Sequence, residues 1–485
     1  MRFISTLAVL ALTFTLASLA HAQGSLAPAA WDAGVKLQEL ADKNPDPAVV
    51  EVDMTARLAD VVISGKTVHA WTYNGTLPGP LIRTKVGDRL IVHFKNELVE
   101  PTTVHWHGVR VPIEMDGVPG ISQSEVKQGQ SFTYDFVVKD AGLYWYHPHV
   151  MSAAAVGNGL YGALLVEDAA DGVGIEDQVT LVLSDVGFDD KGVLEPGESG
   201  GSAGTVFGRE GAYVLVNGKT NPRLLARAGA PQRWRIVNAA KSRFFQLDLQ
   251  GQDFTVIGSD GGLQERPVTS PQLLVTAGER VDVIVTPTGA PGSELVLRSM
   301  LYNRGYGSVE FRSVETLMTI AFSQEPALKA RPLPPIGRTI LPPSAAGATR
   351  VDLMLTLPPV DDRGHSEFRV NGVPFWKAKP YRARLGEAQL WVVQNDTQWD
   401  HPFHLHGFFF MPLDEKDQPL RPLAWKDTVN VPMKTTVRLL VTFDERPGTW
   451  MFHCHILDHA DGGLMGTVHV GPGEPSAHTT HHPAP

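Results

Sequence analysis

The chain has 485 residues, with 52 acidic side chains against 42 basic ones, a formal charge of −10 and a single cysteine. That charge argues against nucleic acid as a partner, and one cysteine can build neither a disulfide framework nor a four-thiolate zinc or iron–sulfur site. The length sets an expectation of two to four domains rather than one.

Residues 1–22 read as a secretory signal. Arg2 supplies the positive start, an apolar run extends through about Leu19, and Ala20-His21-Ala22 is a small-residue cleavage site before Gln23. The run is short for an anchor, and no other uninterrupted apolar span of membrane length follows. The expectation is an exported protein, periplasmic or secreted, with no membrane insertion after cleavage. Having only one arginine argues for export unfolded, so that any metal is loaded outside the cytosol.

Residues 23–48 form an N-terminal arm. Beyond it, glycine (47) and proline (36) punctuate short Val/Ile/Thr/aromatic runs such as 90–94, 234–237 and 281–285, which predicts an all-β chain. An internal repeat organises these runs. An Asn-Gly turn recurs at Asn74-Gly75, Asn217-Gly218 and Asn371-Gly372, each followed by a strand that ends in Asn96, Asn238 or Asn395. Nine residues beyond Asn96 stands His105, and nine beyond Asn395 stands His404. Nine beyond Asn238 stands Leu247, with Leu249 at the second histidine's place, so the middle copy keeps the scaffold without ligands. The outer copies match again where 142–149 lines up with 448–455, Pro148 taking the place of Cys454. This predicts three β-sandwich domains over 49–168, 169–323 and 348–473. A Pro/Ala-rich linker over 324–347 and a His/Pro-rich tail over 474–485 complete the chain.

The only cysteine, Cys454, has His453 and His455 on either side and His459 five residues on. Thiolate plus imidazole is the ligand set of a copper electron-transfer centre, trigonal with two histidines, one cysteine and a weak axial partner. In an extended chain alternate side chains point to opposite sides. Cys454 can therefore face one metal while His453 and His455 face others.

Residues 448–465 resemble the fourth copper motif of multicopper oxidases, the laccase-like family. His105-Trp106-His107-Gly108, His147-Pro148-His149 and His401-Pro402-Phe403-His404-Leu405-His406-Gly407 are similar to the other three motifs, in family order, and the match spans the mature chain. The resemblance implies three cupredoxin-like Greek-key domains and four copper ions. It implies a type 2 copper on His105 and His404, and a type 3 pair on His107, His147, His149, His406, His453 and His455. The type 1 copper would sit on His401, Cys454 and His459 within the third domain. His69, His93, His365 and His469 stand in ordinary strand or turn contexts, His21 leaves with the signal, and His478, His481 and His482 form a weak tail cluster.

Two departures from the family pattern stand out. The axial position ten residues after Cys454 is Leu464, with Met465 one place later; leucine cannot ligate, so a higher potential is expected. Many bacterial relatives place glutamate after the last type 1 histidine, and this chain has Ala460 there. The family's other acid is present as Asp116, which is expected to relay protons, with Asp458 or Asp461 as the alternative. Asp116-Gly117 is also an ordinary turn signal.

The resemblance implies oxidation of phenols or aromatic amines to radicals, coupled to four-electron reduction of dioxygen to water. Electrons would pass from Cys454 through the adjoining His453 and His455, and Trp399-Asp400 would line the donor's approach, with Asp400 as a phenolic proton acceptor or a solvated turn carboxylate. A cuprous oxidase serving copper tolerance is the second enzyme reading, although the eleven methionines are scattered. A non-enzymatic copper-binding envelope protein is the alternative of another class. The third domain and the complete motif set disfavour a two-domain nitrite reductase. The partners expected are dioxygen and a small aromatic reductant or Cu(I), with the protein acting as a monomer.

Overall fold

The computed structural model describes residues 24–197, 199, 201–305, 313–329, 332–333, 335–359 and 367–473. The signal over 1–22, the tail over 474–485 and His365 lie outside the described residues.

Alternation builds the strands. In Arg89–Asn96, Leu90, Val92, Phe94 and Asn96 point inward while the intervening residues face out. Six sheets result, and their inner faces share cores two by two. In each pair the first strand runs parallel to the fourth across one sheet: Val49–Ile63 with Arg89–Asn96, Gln178–Val186 with Gln232–Asn238, and Thr349–Thr356 with Ala388–Asn395. The chain is thus three two-sheet sandwiches in sequence. Among the described residues no helix is long and apolar enough to cross a membrane.

Two asparagines per sandwich explain why the repeat is visible in the sequence. Asn74, Asn217 and Asn371 all adopt positive φ (54°, 51° and 51°) ahead of a glycine, the conformation a tight hairpin needs. Each also clamps the first strand of its sandwich: Oδ1 accepts from Thr55, Val182 or Met354 N–H, and Nδ2 donates to the carbonyl two residues earlier. Asn96, Asn238 and Asn395 are buried, and each donates to two or more backbone carbonyls, at Val126, Val275 and Val431 among others. A buried amide costs free energy unless it is bonded, so these positions tolerate little else.

One expectation from the repeat is corrected. Leu247 and Leu249 do not lie where the histidines of the outer copies lie; both sit in the core of their own sandwich. In the outer copies the residues that point into the core are Trp106 and Leu405, between the histidines. A one-residue slip turns every side chain of a strand to its other face, so the middle copy presents Gln246 and Asp248 outward instead.

The arm is not loose. Val35 joins the second core, Asp177 accepts hydrogen bonds from Ser25, Leu26 and Ala27, and Leu81 of the first sandwich accepts from the Leu40 N–H and donates to the Gln38 carbonyl. In the linker, Ile336 packs on the second sandwich and Ile340 on the third.

Candidate metal centre

Neighbouring strands set the histidines side by side. His105 lies opposite His147 in the first sandwich, and His404 opposite His453 in the third. With period two, His105 and His107 share one face while Trp106 fills the core behind them. The two faces meet between the sandwiches. His105 stacks on His406 with ring centres 3.8 Å apart, and His107 on His404 at 3.7 Å. His453 Nε2 lies 3.1 Å from His406 Nε2 and 3.4 Å from His149 Nε2. His455 closes the group, its ring 4.9 Å from His107 and 5.4 Å from His147. All eight are buried except His149, which is partly so.

The hydrogen bonds fix which nitrogens face inward. A carbonyl can only accept, so a ring nitrogen bonded to one carries the proton and the other keeps its lone pair. Nδ1–H of His105, His147, His404 and His453 donates to the carbonyls of Asp116, Pro148, Asp427 and Cys454, at 2.8 to 2.9 Å. His406 Nδ1–H donates to Asp116 Oδ2 at 2.9 Å. Nε2 of His105, His147 and His404 is then left buried with no hydrogen-bond partner. His107 is turned round: Nε2 bonds Asp427 Oδ1 and Thr428 Oγ1, both at 3.1 Å, and Nδ1 is the orphan. Neither nitrogen of His455 has a partner. Burial, reinforced by neighbouring imidazoles, pushes His147, His149, His406, His453 and His455 well below the usual histidine range, so the rings are neutral. Convergent orphaned lone pairs are costly in a protein interior, and a bound cation relieves that cost. The donor set fits metal.

A second site lies inside the third sandwich. Cys454 Sγ is 3.4 Å from His401 Nδ1 and 3.8 Å from His459 Nδ1, and the two nitrogens are 3.2 Å apart. The outer nitrogens are anchored: His459 Nε2–H donates to the Val206 carbonyl at 3.0 Å, and His401 Nε2 pairs with Thr397 Oγ1 at 2.7 Å. Burial brings His401 down to about 3 and pushes the Cys454 thiol up. A thiolate here therefore needs a cation beside it. One sulfur and two imidazoles are the donors of a trigonal copper site. Leu464 shares an apolar cluster with Cys454, whereas Met465 belongs to a different one with Ala460 and Met451. The Leu464 carbonyl also accepts the Cys454 N–H at 3.1 Å.

The acids divide sharply. Asp116 is buried, with its carbonyl on His105, Oδ2 on His406, and Oδ1 without a hydrogen-bond partner. It also makes the turn, since a Cβ on Gly117 would lie 2.0 Å from the Val104 carbonyl. Ala460 lies in an apolar cluster with Val118, Phe375, Met451 and Met465. Asp400 is not the solvated turn carboxylate of the second alternative. It is 1% exposed, and its oxygens take bonds from Tyr302, Asn430 and the Met433 N–H. Asp458 is held by Arg209 and Ser242. Asp461 accepts from the Ala153 N–H, and burial raises it to about 7. His69 and His93 pair with Asp60 and Glu51 near the surface, and His469 with Thr449.

Sequence reasoning missed Thr397, Asp427 and Arg280. The last two are joined by a buried bidentate ion pair beside His107. The glycine of the first motif was a usable signal. A Cβ on Gly108, where φ is +85°, would sit 2.3 Å from Arg280 Nη2 and 2.6 Å from Asp427 Oδ2, so something bulky had to lie against it.

Models of the multicopper oxidase family match residues 55–171, 177–321 and 349–474. The chain is 30% identical to the multicopper oxidase MmcO of Mycobacterium tuberculosis, over 93% of each chain. It is 28% identical to a laccase of Bacillus stratosphericus, over 89% of this chain and 96% of that one. Among solved structures, a multicopper oxidase from Campylobacter jejuni, described as a metallo-oxidase, superposes with a TM-score of 0.80. Its identity is 31%, and 90% of this chain and 94% of that one are covered.

Proposed function

The chain belongs to the multicopper oxidase family, and on that premise we propose that it is a laccase-like enzyme. In this reading it oxidises phenols or aromatic amines one electron at a time and reduces dioxygen to water. It is an oxygen-dependent oxidoreductase with copper as cofactor, four ions by the family's standard stoichiometry. The observation that carries the finer reading is the convergence of eight histidines beside a Cys454 site only one residue away along the chain. We assign His401, Cys454 and His459 to the type 1 copper, and His105 and His404 to type 2. The type 3 pair falls to His107, His147, His149, His406, His453 and His455.

Bound copper supplies one-electron storage, and four stored electrons match the need of dioxygen on its way to two waters. The chain supplies the rest. Cys454 and its two histidine neighbours make a covalent bridge between the sites. Asp116 holds His105 and His406 in place and keeps Oδ1 available as a proton acceptor. The buried walls keep solvent from the reacting centre. The signal over residues 1–22 supports a periplasmic or secreted enzyme.

A cuprous oxidase is the second reading, favoured by the description of the Campylobacter jejuni relative as a metallo-oxidase. Oxygen uptake by the copper-loaded protein on a panel of phenols and on Cu(I) tests both. Faster turnover of phenols supports the laccase-like reading, and uptake on Cu(I) alone overturns it.

A further inference from the structure

The second sandwich contributes no ligand, yet one of its side chains reaches the cluster. Arg280 opens the strand Arg280–Val285 and is 2% exposed. All five of its N–H groups are used. Nε donates to the Leu143 carbonyl of the first sandwich at 3.1 Å. Nη1 donates to the Gly278 carbonyl at 3.2 Å and Nη2 to the Asp260 carbonyl at 3.1 Å, both in the second. The remaining two clamp Asp427 of the third, Nη1 on Oδ1 at 2.6 Å and Nη2 on Oδ2. One guanidinium therefore bonds all three sandwiches. Its planar fork matches a carboxylate edge, which lysine cannot do.

The clamp ends on two cluster histidines. Asp427 Oδ1 accepts from His107 Nε2 at 3.1 Å and from Thr428 Oγ1 at 2.8 Å, while the Asp427 carbonyl accepts from His404 Nδ1 at 2.9 Å. A second contact comes from the same turn. Gly278 has φ of +87°, and a Cβ there would lie 2.8 Å from the His455 ring. Behind the clamp, Asp260 Oδ1 accepts the Arg280 N–H at 2.8 Å, and Oδ2 faces the Asp427 and Thr428 N–H groups at 3.3 Å and Lys426 Nζ at 3.4 Å. The carboxylate of Asp427 is thus fixed in position and in plane.

We propose that Arg280 is a positioning residue for the type 3 site: by holding Asp427 against His107 Nε2, it turns this one histidine to present Nδ1 while its neighbours present Nε2. The second sandwich is then part of the oxygen-reducing centre without ligating it. Removing the guanidinium leaves a buried carboxylate without its bidentate partner, and of the fixed partners of His107 Nε2 only Thr428 Oγ1 remains in place. Outer partners of ligating histidines set ring orientation, and their loss typically costs about 10- to 100-fold in metal affinity. The type 1 site is untouched, because His401, Cys454 and His459 bond to one another and to Thr397, Ile456 and Val206 rather than to Arg280 or Asp427.

The inference rests on the laccase-like reading of the cluster, and the test separates the two. Wild-type protein, Arg280→Met, Arg280→Lys and Asp427→Asn are loaded with copper. Copper retention against a chelator, the blue band, the near-ultraviolet absorption of the coupled pair and far-ultraviolet circular dichroism are then measured. Wild type lacking the blue band or the coupled-pair absorption overturns the underlying reading. With wild type intact, Arg280→Met should keep the blue band and fold, lose the coupled-pair absorption, and hold cluster copper about 10- to 100-fold more weakly. Arg280→Lys should restore it only in part. Wild-type absorption and retention in Arg280→Met overturn the inference. Should Arg280→Met not fold, the near-isosteric Asp427→Asn decides: loss of the coupled-pair absorption with the blue band kept supports it, and an unchanged spectrum overturns it.

Discussion

The second and third sandwiches are built alike, and only one of them carries chemistry. Both clamp the first strand with an asparagine of an Asn-Gly turn, both bury an asparagine at the end of a parallel strand, and both tie a buried tryptophan to a glutamine, Trp234 to Gln232 and Trp391 to Gln389, at 2.9 Å. The third holds His401, His404, His406, His453, Cys454, His455 and His459; the second has Leu247 and Leu249 turned into its own core. The scaffold therefore needs apolar alternation and a few satisfied amides, while metal binding needs imidazoles on the outward face of particular strands. The second sandwich is not inert, since its Arg280 and Gly278 press on the cluster.

The comparison breaks most completely at Cys454. Cys454→Ser should abolish the blue band and donor oxidation while the fold and the cluster copper survive, because the cluster uses imidazoles alone; absorption and copper content check this. A retained blue band would sink the assignment.

Next comes Asp116→Asn, which keeps the turn, the volume and an oxygen for His406 Nδ1–H but removes the carboxylate that can take up a proton. Reoxidation by dioxygen should slow by about 100-fold or more, the usual size of a lost proton-transfer role. Stopped-flow traces should show reduction of the blue band by the donor unchanged. Unaltered reoxidation across the working pH range would mean that protons enter by another route.

Acid should separate the outer sandwiches from the middle one in metal-free protein. Burial holds the cluster histidines below their ordinary value of 6.5. The unfolded chain then binds more protons than the folded one below that pH, so stability is lost as pH falls through about 6.5 and downward. Each proton taken up contributes about 1.4 kcal/mol per pH unit. Thermal melts of the apo protein from pH 7 to 5 should show a steep fall in stability. A flat profile over that range would contradict neutral, inward-facing rings.

Leu247→His tests the middle copy directly. The imidazole would enter an apolar core, costing about 1–3 kcal/mol, with no gain in copper per chain. A melt and a metal assay would read both. The smallest effect is expected from Leu464→Met, a modest fall in type 1 potential by redox titration, since Leu464 shares the apolar cluster of Cys454 and Met465 does not.

Much of this was legible in the chain itself. The histidine pairs, Cys454 and the two asparagine positions could be read because each is a local pattern whose spacing follows from strand geometry. The slip at Leu247 was not legible, because counting from Asn238 assumes equal loops, and one residue of difference reverses the face. Arg280 and Asp427 were invisible for another reason: they are 147 residues apart and meet only when three sandwiches assemble. The burial of Asp400 was not legible either, because its partners Tyr302 and Asn430 come from distant segments.

The central claim is that one chain gathers electrons singly and spends four of them on each dioxygen. The most direct measurement is the ratio of one-electron donor oxidised to dioxygen consumed by the copper-loaded protein, with peroxide assayed alongside. The account predicts four donors per dioxygen and no peroxide. A ratio of two with accumulating hydrogen peroxide would contradict it.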